Sequence, residues 1–248
     1  MKMSRRVSSK WKKTAALLKD NVLSDFVPET VGMNKASLRA LLKKYEMVYV
    51  KPVVGSFGIG VMRVERTKSG YQFQANKRIH SFKNYDDMYR SILKNTNKKS
   101  YLVQKGIHLL KHNGRSFDLR VMTQFAPDRR WETTGIIGRV AAKNKIVTNF
   151  HSGGTIVTAN RLLAGYTTDV EGKLKSLSRL GVNAGKAMQK AFPGVYVIGL
   201  DVALDQSLRP WILEVNTSPD PYIFRRHPKK SVFRKIMRYA KLYSEKRA

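Results

Sequence analysis

Residues 199–220 read GLDVALDQSLRPWILEVNTSPD, and how this stretch is read decides the fold. Two apolar runs flank the polar segment 205–210, the pattern of a β-hairpin. Asp201, Glu214 and Asn216 stand inside those runs, where hydrophobes are expected. Side chains two apart on a strand share a face, so Glu214 and Asn216 point the same way. Centring the turn on Gln206, Ser207 and Leu208 sets Asp201 roughly opposite Glu214. Two facing carboxylates repel and raise one another's pKa unless a cation lies between them. An oxygen set of Asp, Glu and Asn suits Mg²⁺ or Mn²⁺, hard ions that are completed by water and phosphate oxygens. The competing reading pairs the two acids with nearby lysines and arginines. Asn216 and the phosphate-binding features upstream weigh against it.

Those features begin at Lys51, which closes the apolar run MVYVKP and precedes Gly55-Ser56-Phe57-Gly58-Ile59-Gly60. Glycines allow backbone N–H groups to wrap phosphate oxygens, and Lys51 adds a point charge. The loop lacks the Gly-Lys-Ser/Thr of a P-loop and the G-x-G-x-x-G spacing. Alone it is weak, because hairpins also use glycine. Arg120 in FDLRV and Arg139 in GIIGRVAAKN lie in mid-chain strands. Either one alone reads as a solvent-face residue. Set among apolar neighbours, the pair suits a phosphoryl group or a carboxylate. The loop TNFHSGGT offers Asn149, His151, Gly153 and Gly154. His151 is a general base by type, although a lone loop histidine is more often incidental. Ser152 has no triad partners in the pattern.

The 248 residues carry 48 lysines and arginines against 17 acids, a net charge of +31, with the excess concentrated at both ends. Such a surface favours nucleic acid, an anionic membrane face or an acidic protein. The absence of cysteine excludes disulfides, thiolate zinc sites and cysteine nucleophiles. No apolar run approaches the roughly 20 residues of a membrane span, so no transmembrane segment is expected and a cytoplasmic location is. The periodicity predicts helices near residues 10–20, at 34–45 with Asn34 or Ser37 as cap, at 85–96, at 176–192 and from about Pro228. Strands are expected at MVYVKPVV, VMRVER, YQFQAN, SYLVQKGI, RSFDLRVMTQFA and WETTGIIGRVAAK, with KIVTNF as a further one. The order predicts an α+β fold of two lobes with a site between them. The expected units are a basic N-terminal helix (1–26), a first lobe (27–103), a second lobe (104–224) and a basic C-terminal helix (225–248). In the last, Val232, Phe233, Ile236, Met237 and Ala240 form a stripe that favours packing on the domain over membrane docking.

In order, VYVKP–GSFGIG, YLVQKGI, FDLRV, GRVAAKN, NFHSGG, GLDVAL and ILEVNTSPD resemble the ATP-grasp superfamily. The resemblance is nearest to its YheC/YheD family of endospore coat-associated proteins and runs from about Val27 to Pro221. It implies two lobes with antiparallel sheets clamping ATP. Only about fifty residues precede Lys51, so the usual domain before the ATP lobes is expected to be shortened or absent. By resemblance, Lys51 contacts nucleotide phosphates, and Gly55, Ser56, Gly58 and Gly60 form the phosphate lid. Gln104, Lys105 and Ile107 belong to the linker that reads adenine with its backbone. Asp201, Glu214 and Asn216 hold Mg²⁺ or Mn²⁺. Arg120 and Arg139 steady an acyl phosphate, and Asn149 lines the acceptor side. The family's second phosphate lysine is not identified; Lys12, Lys13 and Lys35 are candidates. The implied activity is an ADP-forming carboxylate–amine ligase acting on an acidic peptide or protein, in the cytoplasm or with the spore. Alternatives are a non-catalytic ATP-binding coat scaffold and a basic nucleic-acid binder, the latter disfavoured because the ends lack clustered aromatics for base stacking. The sequence does not give the oligomeric state.

Overall fold

The computed structural model describes residues 4–244; residues 1–3 and 245–248, parts of the expected basic end segments, lie outside it. An extended segment leads into α1 (Lys10–Leu18), and the chain then builds a first lobe. Its strands are β1 (Thr30–Gly32), β2 (Met47–Pro52), β3 (Met62–Thr67), β4 (Gly70–Ala75), β5 (Arg78–Phe82) and β6 (Tyr101–Lys105). They lie in the order β1-β6-β2-β3-β4-β5, every neighbouring pair antiparallel. Helices α2 (Lys35–Tyr45) and α3 (Tyr85–Thr96) set Leu38, Leu42, Met88 and Ile92 against Val48, Val64, Phe73 and Val103. Both candidate caps of α2 act together. Asn34 Oδ1 accepts from the Ser37 amide at 2.8 Å, and Ser37 Oγ accepts from the Asn34 amide at 2.9 Å. This reciprocal box satisfies two backbone donors at the helix start.

The second lobe holds β7 (Lys111–His112), β8 (Arg115–Phe125), β9 (Trp131–Val140), β10 (Thr155–Thr158), β11 (Val197–Leu204) and β12 (Pro210–Asn216). The order is β10-β9-β8-β11-β12, with β7 paired to the start of β8. Helices α4 (Ala159–Leu163), α5 (Val170–Ala191) and α6 (Lys230–Ser244) complete it. Alternation of period two sorts the faces. Phe117, Leu119 and Val121 of β8 join Leu200 and Val202 of β11 in the core under α5, whereas Met122 packs with Phe224 and Ile236 on the α6 side. Asp118 and Arg120 share the face of Met122, and so fall on the side that opens into the cleft. Ile236, Tyr239 and Tyr243 of α6 are buried, so this helix packs on the domain. Among the described residues no helix is long and apolar enough to cross a membrane.

The hairpin of β11 and β12 holds a detail that strict alternation does not give. Asp201 faces Glu214 in the ladder, but Val202 faces Ile212, so Leu213 is the extra residue of a β-bulge. Without it Glu214 would share the core face of Ile212, because side-chain direction has a period of two. With it, Ile212 and Val215 enter the core while Glu214 and Asn216 turn to the cleft.

The segment KIVTNF, expected as a strand, is a loop. The position beside β9 is occupied by β10, with Thr155 opposite Val140. The intervening chain bends over the cleft, where Asn144 O accepts from Gln74 Nε2 at 2.9 Å and Ile146 O accepts from Tyr49 Oη at 3.4 Å. The N-terminal segment spans both lobes. The Val7 amide donates to Thr217 Oγ1 at 2.8 Å, the Lys10 amide donates to Val53 O at 2.8 Å, and Ala16 and Leu17 join the second lobe's core.

After β6 the chain crosses between lobes at Gly106, whose amide donates to Met47 O at 3.0 Å. A Cβ there would lie 1.9 Å from Met47 Sδ and 2.7 Å from Met47 O. The sulfur can move but the carbonyl cannot. Gly106→Ala is therefore expected to destabilise by about 1–3 kcal/mol, the range for overpacking. Urea denaturation measures it; an unchanged midpoint would show that the crossing has slack.

Candidate functional site

A cavity between the lobes is apolar at one end and charged at the other. Tyr49, Val61, Ile107, Leu109, Ile146 and Leu213 line the apolar end. Lys10, Lys51, Asp118, Arg139, Asp201 and Glu214 line the charged end. Gly55, Ser56 and Gly58 of the flap, Gln104 and Lys105 of the crossing, and Asn149 of the opposite loop also border it. A second cavity of about 480 Å³ continues past the charged end. It is bordered by Arg120, Asn149, Asp201, Glu214 and Asn216, and by Arg6, Lys13, His151 and Asp220. Thirteen of the fourteen site residues expected from the sequence thus border one cleft. Gly60 does not. It sits at the return of the flap with φ +77°, where a Cβ would meet Tyr101 Oη at 2.8 Å.

The charged end is a buried relay. Asp201 Oδ1 accepts from Arg120 Nε at 2.5 Å, and Asp201 Oδ2 lies 2.9 Å from Arg139 Nη2. Arg139 also donates from Nε to Asp118 Oδ1 at 2.8 Å and from Nη2 to Asp118 Oδ2 at 2.5 Å. Thr148 Oγ1 adds a donor to Asp118 Oδ2 at 2.7 Å. Asp118 and Arg139 are each 3% exposed. Both arginines are buried, as their apolar neighbours suggest when the two are taken as a pair, and each has a carboxylate within hydrogen-bond reach. Burial alone would raise the Asp201 pKa, but Arg120 and Arg139 outweigh it and hold the carboxyl below its usual range. Burial likewise opposes charge on Arg139, and Asp118 and Asp201 more than compensate, raising its pKa.

Glu214 faces three lysines. Its Oε1 lies 3.2 Å from Lys10 Nζ and 3.8 Å from Lys13 Nζ. Lys10 Nζ also donates to Gly55 O of the flap at 2.6 Å. Lys51 Nζ donates to Gln104 Oε1 at 2.6 Å, and Gln104 Nε2 donates to Thr30 Oγ1 at 3.0 Å, so the amine is aimed by a fixed amide. Burial pulls the Lys51 pKa down to about 8, partly offset by Glu214. Burial lowers Lys13 as well. The amine of Lys105 lies 5.1 Å from the ring centroid of Tyr45 and 4.4 Å from that of Trp211, one ring from each lobe.

Of the candidate second lysines, Lys13 reaches the cleft and two do not. Lys35 pairs with Asp86 on the surface at 3.2 Å, and Lys12 borders neither cavity. Lys10 was not singled out in the sequence, because within an unbroken basic run nothing local distinguishes it. Asp118 and Thr148 were also missed. Asp118 had a signal: it stands two before Arg120, on the same face of a strand.

Asp201, Glu214 and Asn216 are oxygen donors of the kind a hard divalent cation takes. Both acids also carry the pairing that the competing reading expected, Asp201 with Arg120 and Arg139 and Glu214 with Lys10 and Lys13. Asp201 and Glu214 are opposed in the ladder, Asn216 borders the same cavity, and Asp201 is held ionised by its arginines. Two carboxylates and an amide are fewer donors than a closed metal cage, and Mg²⁺ characteristically fills its remaining positions with phosphate and water.

Two antiparallel lobes, a glycine flap on the first and an acid pair facing each other on neighbouring strands of the second define an ATP-grasp fold. Solved structures share it. D-cycloserine synthetase DcsG aligns with a TM-score of 0.61 at 13% identity, covering 95% of this chain and 70% of that one. N5-carboxyaminoimidazole synthase from Aspergillus clavatus, solved with ADP, gives 0.57 at 11% identity, covering 95% and 52%. The C-terminal domain of K. lactis Pby1 gives 0.54 at 13% identity, covering 98% and 73%. A family model described as YheC/D like ATP-grasp matches residues 2–245, and the chain belongs to that family. Endospore coat-associated protein YheD of Bacillus subtilis (strain 168) is 28% identical over 249 residues, 96% of this chain and 55% of that protein. YheC of the same organism is 21% identical over 227 residues, 88% of this chain and 61% of that protein. The chain therefore spans 55% of the length of the first relative and 61% of the second.

Proposed function

We propose that this protein is an ATP- and Mg²⁺-dependent carboxylate–amine ligase that works through an acyl phosphate. The observation that carries the reading is the bulged hairpin, which turns Asp201, Glu214 and Asn216 into the cleft opposite Lys10, Lys51 and the flap. The apolar end would take adenine beside the Gln104–Ile107 crossing. Lys10 and Lys51 would hold phosphates under Gly55, Ser56 and Gly58. Asp201, Glu214 and Asn216 would hold Mg²⁺, which when bound neutralises charge on the β- and γ-phosphates. Arg120 and Arg139 would steady the acyl phosphate, and Asn149 would face the acceptor. Phosphoryl transfer to a carboxylate needs placement and charge neutralisation and no protein nucleophile. The cations bordering the second cavity, together with the net charge of +31, favour an acidic peptide or protein as substrate. Release of ADP and phosphate stimulated by Glu-rich peptides tests the reading. Failure to bind an ATP analogue with Mg²⁺ present would end it.

Lys51 gives a pH signature. In the free protein its amine titrates near 8 instead of the usual 10.5. The unfolded chain thus binds more protons between those values, so Lys51's contribution to stability rises with pH across that window. Nucleotide binding has the opposite sign. Phosphates favour the charged amine, so binding takes up a proton above pH 8, and affinity falls by up to about tenfold per pH unit. Calorimetry in two buffers of different ionisation enthalpy at pH 8.5 reads the uptake. Zero uptake would separate Lys51 from the phosphates.

A further inference from the structure

His151 sits in the short turn Phe150–Ser152, directly after the loop that bends over the cleft. Its Nε2 is 3.5 Å from Oδ2 of Asp220, in the segment that follows β12. Both side chains border the second cavity beside Arg120, Asn149 and Asn216. The imidazole is boxed by rings: Phe150 at 5.9 Å, and Phe57 of the flap, edge-on at 4.7 Å. Phe57 has φ +59°, a conformation costly for an aromatic residue, and Ser152 Oγ donates to its carbonyl at 3.0 Å. Strain of this kind persists where the surroundings over-determine it, often at functional sites. Other charges near the ring are Arg226, whose guanidinium stacks over Phe150 at 5.0 Å, and Arg6, Lys13 and Arg120 around the cavity.

We propose that His151 and Asp220 form a base dyad on the acceptor side, with His151 taking the proton that the attacking amine releases. The inference rests on the ligase reading above. In the second half of that reaction the amine nitrogen bonds to the acyl carbon. The bond from that carbon to the phosphate oxygen breaks, and its electron pair leaves with phosphate. Before that attack the amine, an ammonium at neutral pH, must give up one proton, and the second passes from the nitrogen to the departing phosphate. Among the described residues His151 is the one imidazole that borders this cavity. Asp220 faces Nε2, which holds the N–H there, leaves the Nδ1 lone pair to accept the proton and stabilises the imidazolium that forms. His151 is half exposed, so the proton passes on to water. Phe57 ties the dyad to the flap, its ring meeting the imidazole edge-on.

The test compares wild type, His151→Gln and Asp220→Asn, each with ATP, Mg²⁺ and a hexaglutamate peptide as carboxylate. The nucleophile is either the amine of free glutamate or hydroxylamine, whose nitrogen is already unprotonated at neutral pH. Amide formation is expected to fall about 10²–10³-fold in both variants while hydroxamate formation stays within about threefold. The pH–rate profile for the amide should lose its acidic limb in His151→Gln. Equal losses with both nucleophiles would overturn the dyad and leave His151 as a prop for the flap, and no loss would make it incidental. Silence of the wild type with either nucleophile would remove the ligase reading itself, and the dyad with it.

Discussion

Glu214→Gln is expected to lower ATP-dependent turnover by about 10³-fold while the protein stays folded. The carboxylate is one of two that face each other across β11 and β12, and a metal ion's neutralisation of phosphate charge is worth several kcal/mol in the transition state. About 4 kcal/mol converts to about 10³ in rate. The same change leaves Lys10, Lys13 and Lys51 without their shared counter-charge. Glu214 is only partly buried, its side chain 25% exposed, so that loss is screened and costs about 1 kcal/mol. A shift of about 2–4 °C in melting temperature follows for a chain of this size. Turnover and thermal melts on one preparation separate the two effects. A melting loss that accounts for all the lost turnover would mean that Glu214 serves only to pair lysines.

Asp118→Ala is expected to act on stability. Asp118 accepts two hydrogen bonds from Arg139 and one from Thr148 in a site almost closed to water. Removing one partner of a buried ion pair strands the other charge, at a cost of about 3–5 kcal/mol. Here Asp201 still reaches Arg139, so the lower end is expected. The urea midpoint should fall with an unchanged slope. A loss below about 1 kcal/mol would show that water or Asp201 takes over fully. Adding Arg139→Met should restore part of the loss, since the stranded charge is then gone.

Some of this was legible in the chain. The hairpin announced itself by two apolar runs around a polar turn, and its acids by standing where hydrophobes belong. Lys51 and the flap glycines were readable from their order, as were both strand arginines. Period-two alternation carried Asp118 as well, had it been applied to that strand.

Other features were not local. The bulge at Leu213 depends on which residues of β11 pair with β12, and an unbroken alternation would have put Glu214 in the core. Lys10 became distinguishable from Lys12 only when the N-terminal segment crossed both lobes. KIVTNF has the composition of a strand, but the place beside β9 was already taken.

By itself the sequence determined the element on which each candidate residue stands, because backbone geometry imposes periods of 2 and 3.6 on any chain. The tertiary structure alone decided which charges meet. Partners far apart in sequence, such as Lys10 and Glu214 or His151 and Asp220, are joined by chain closure and core packing, and no local period encodes those.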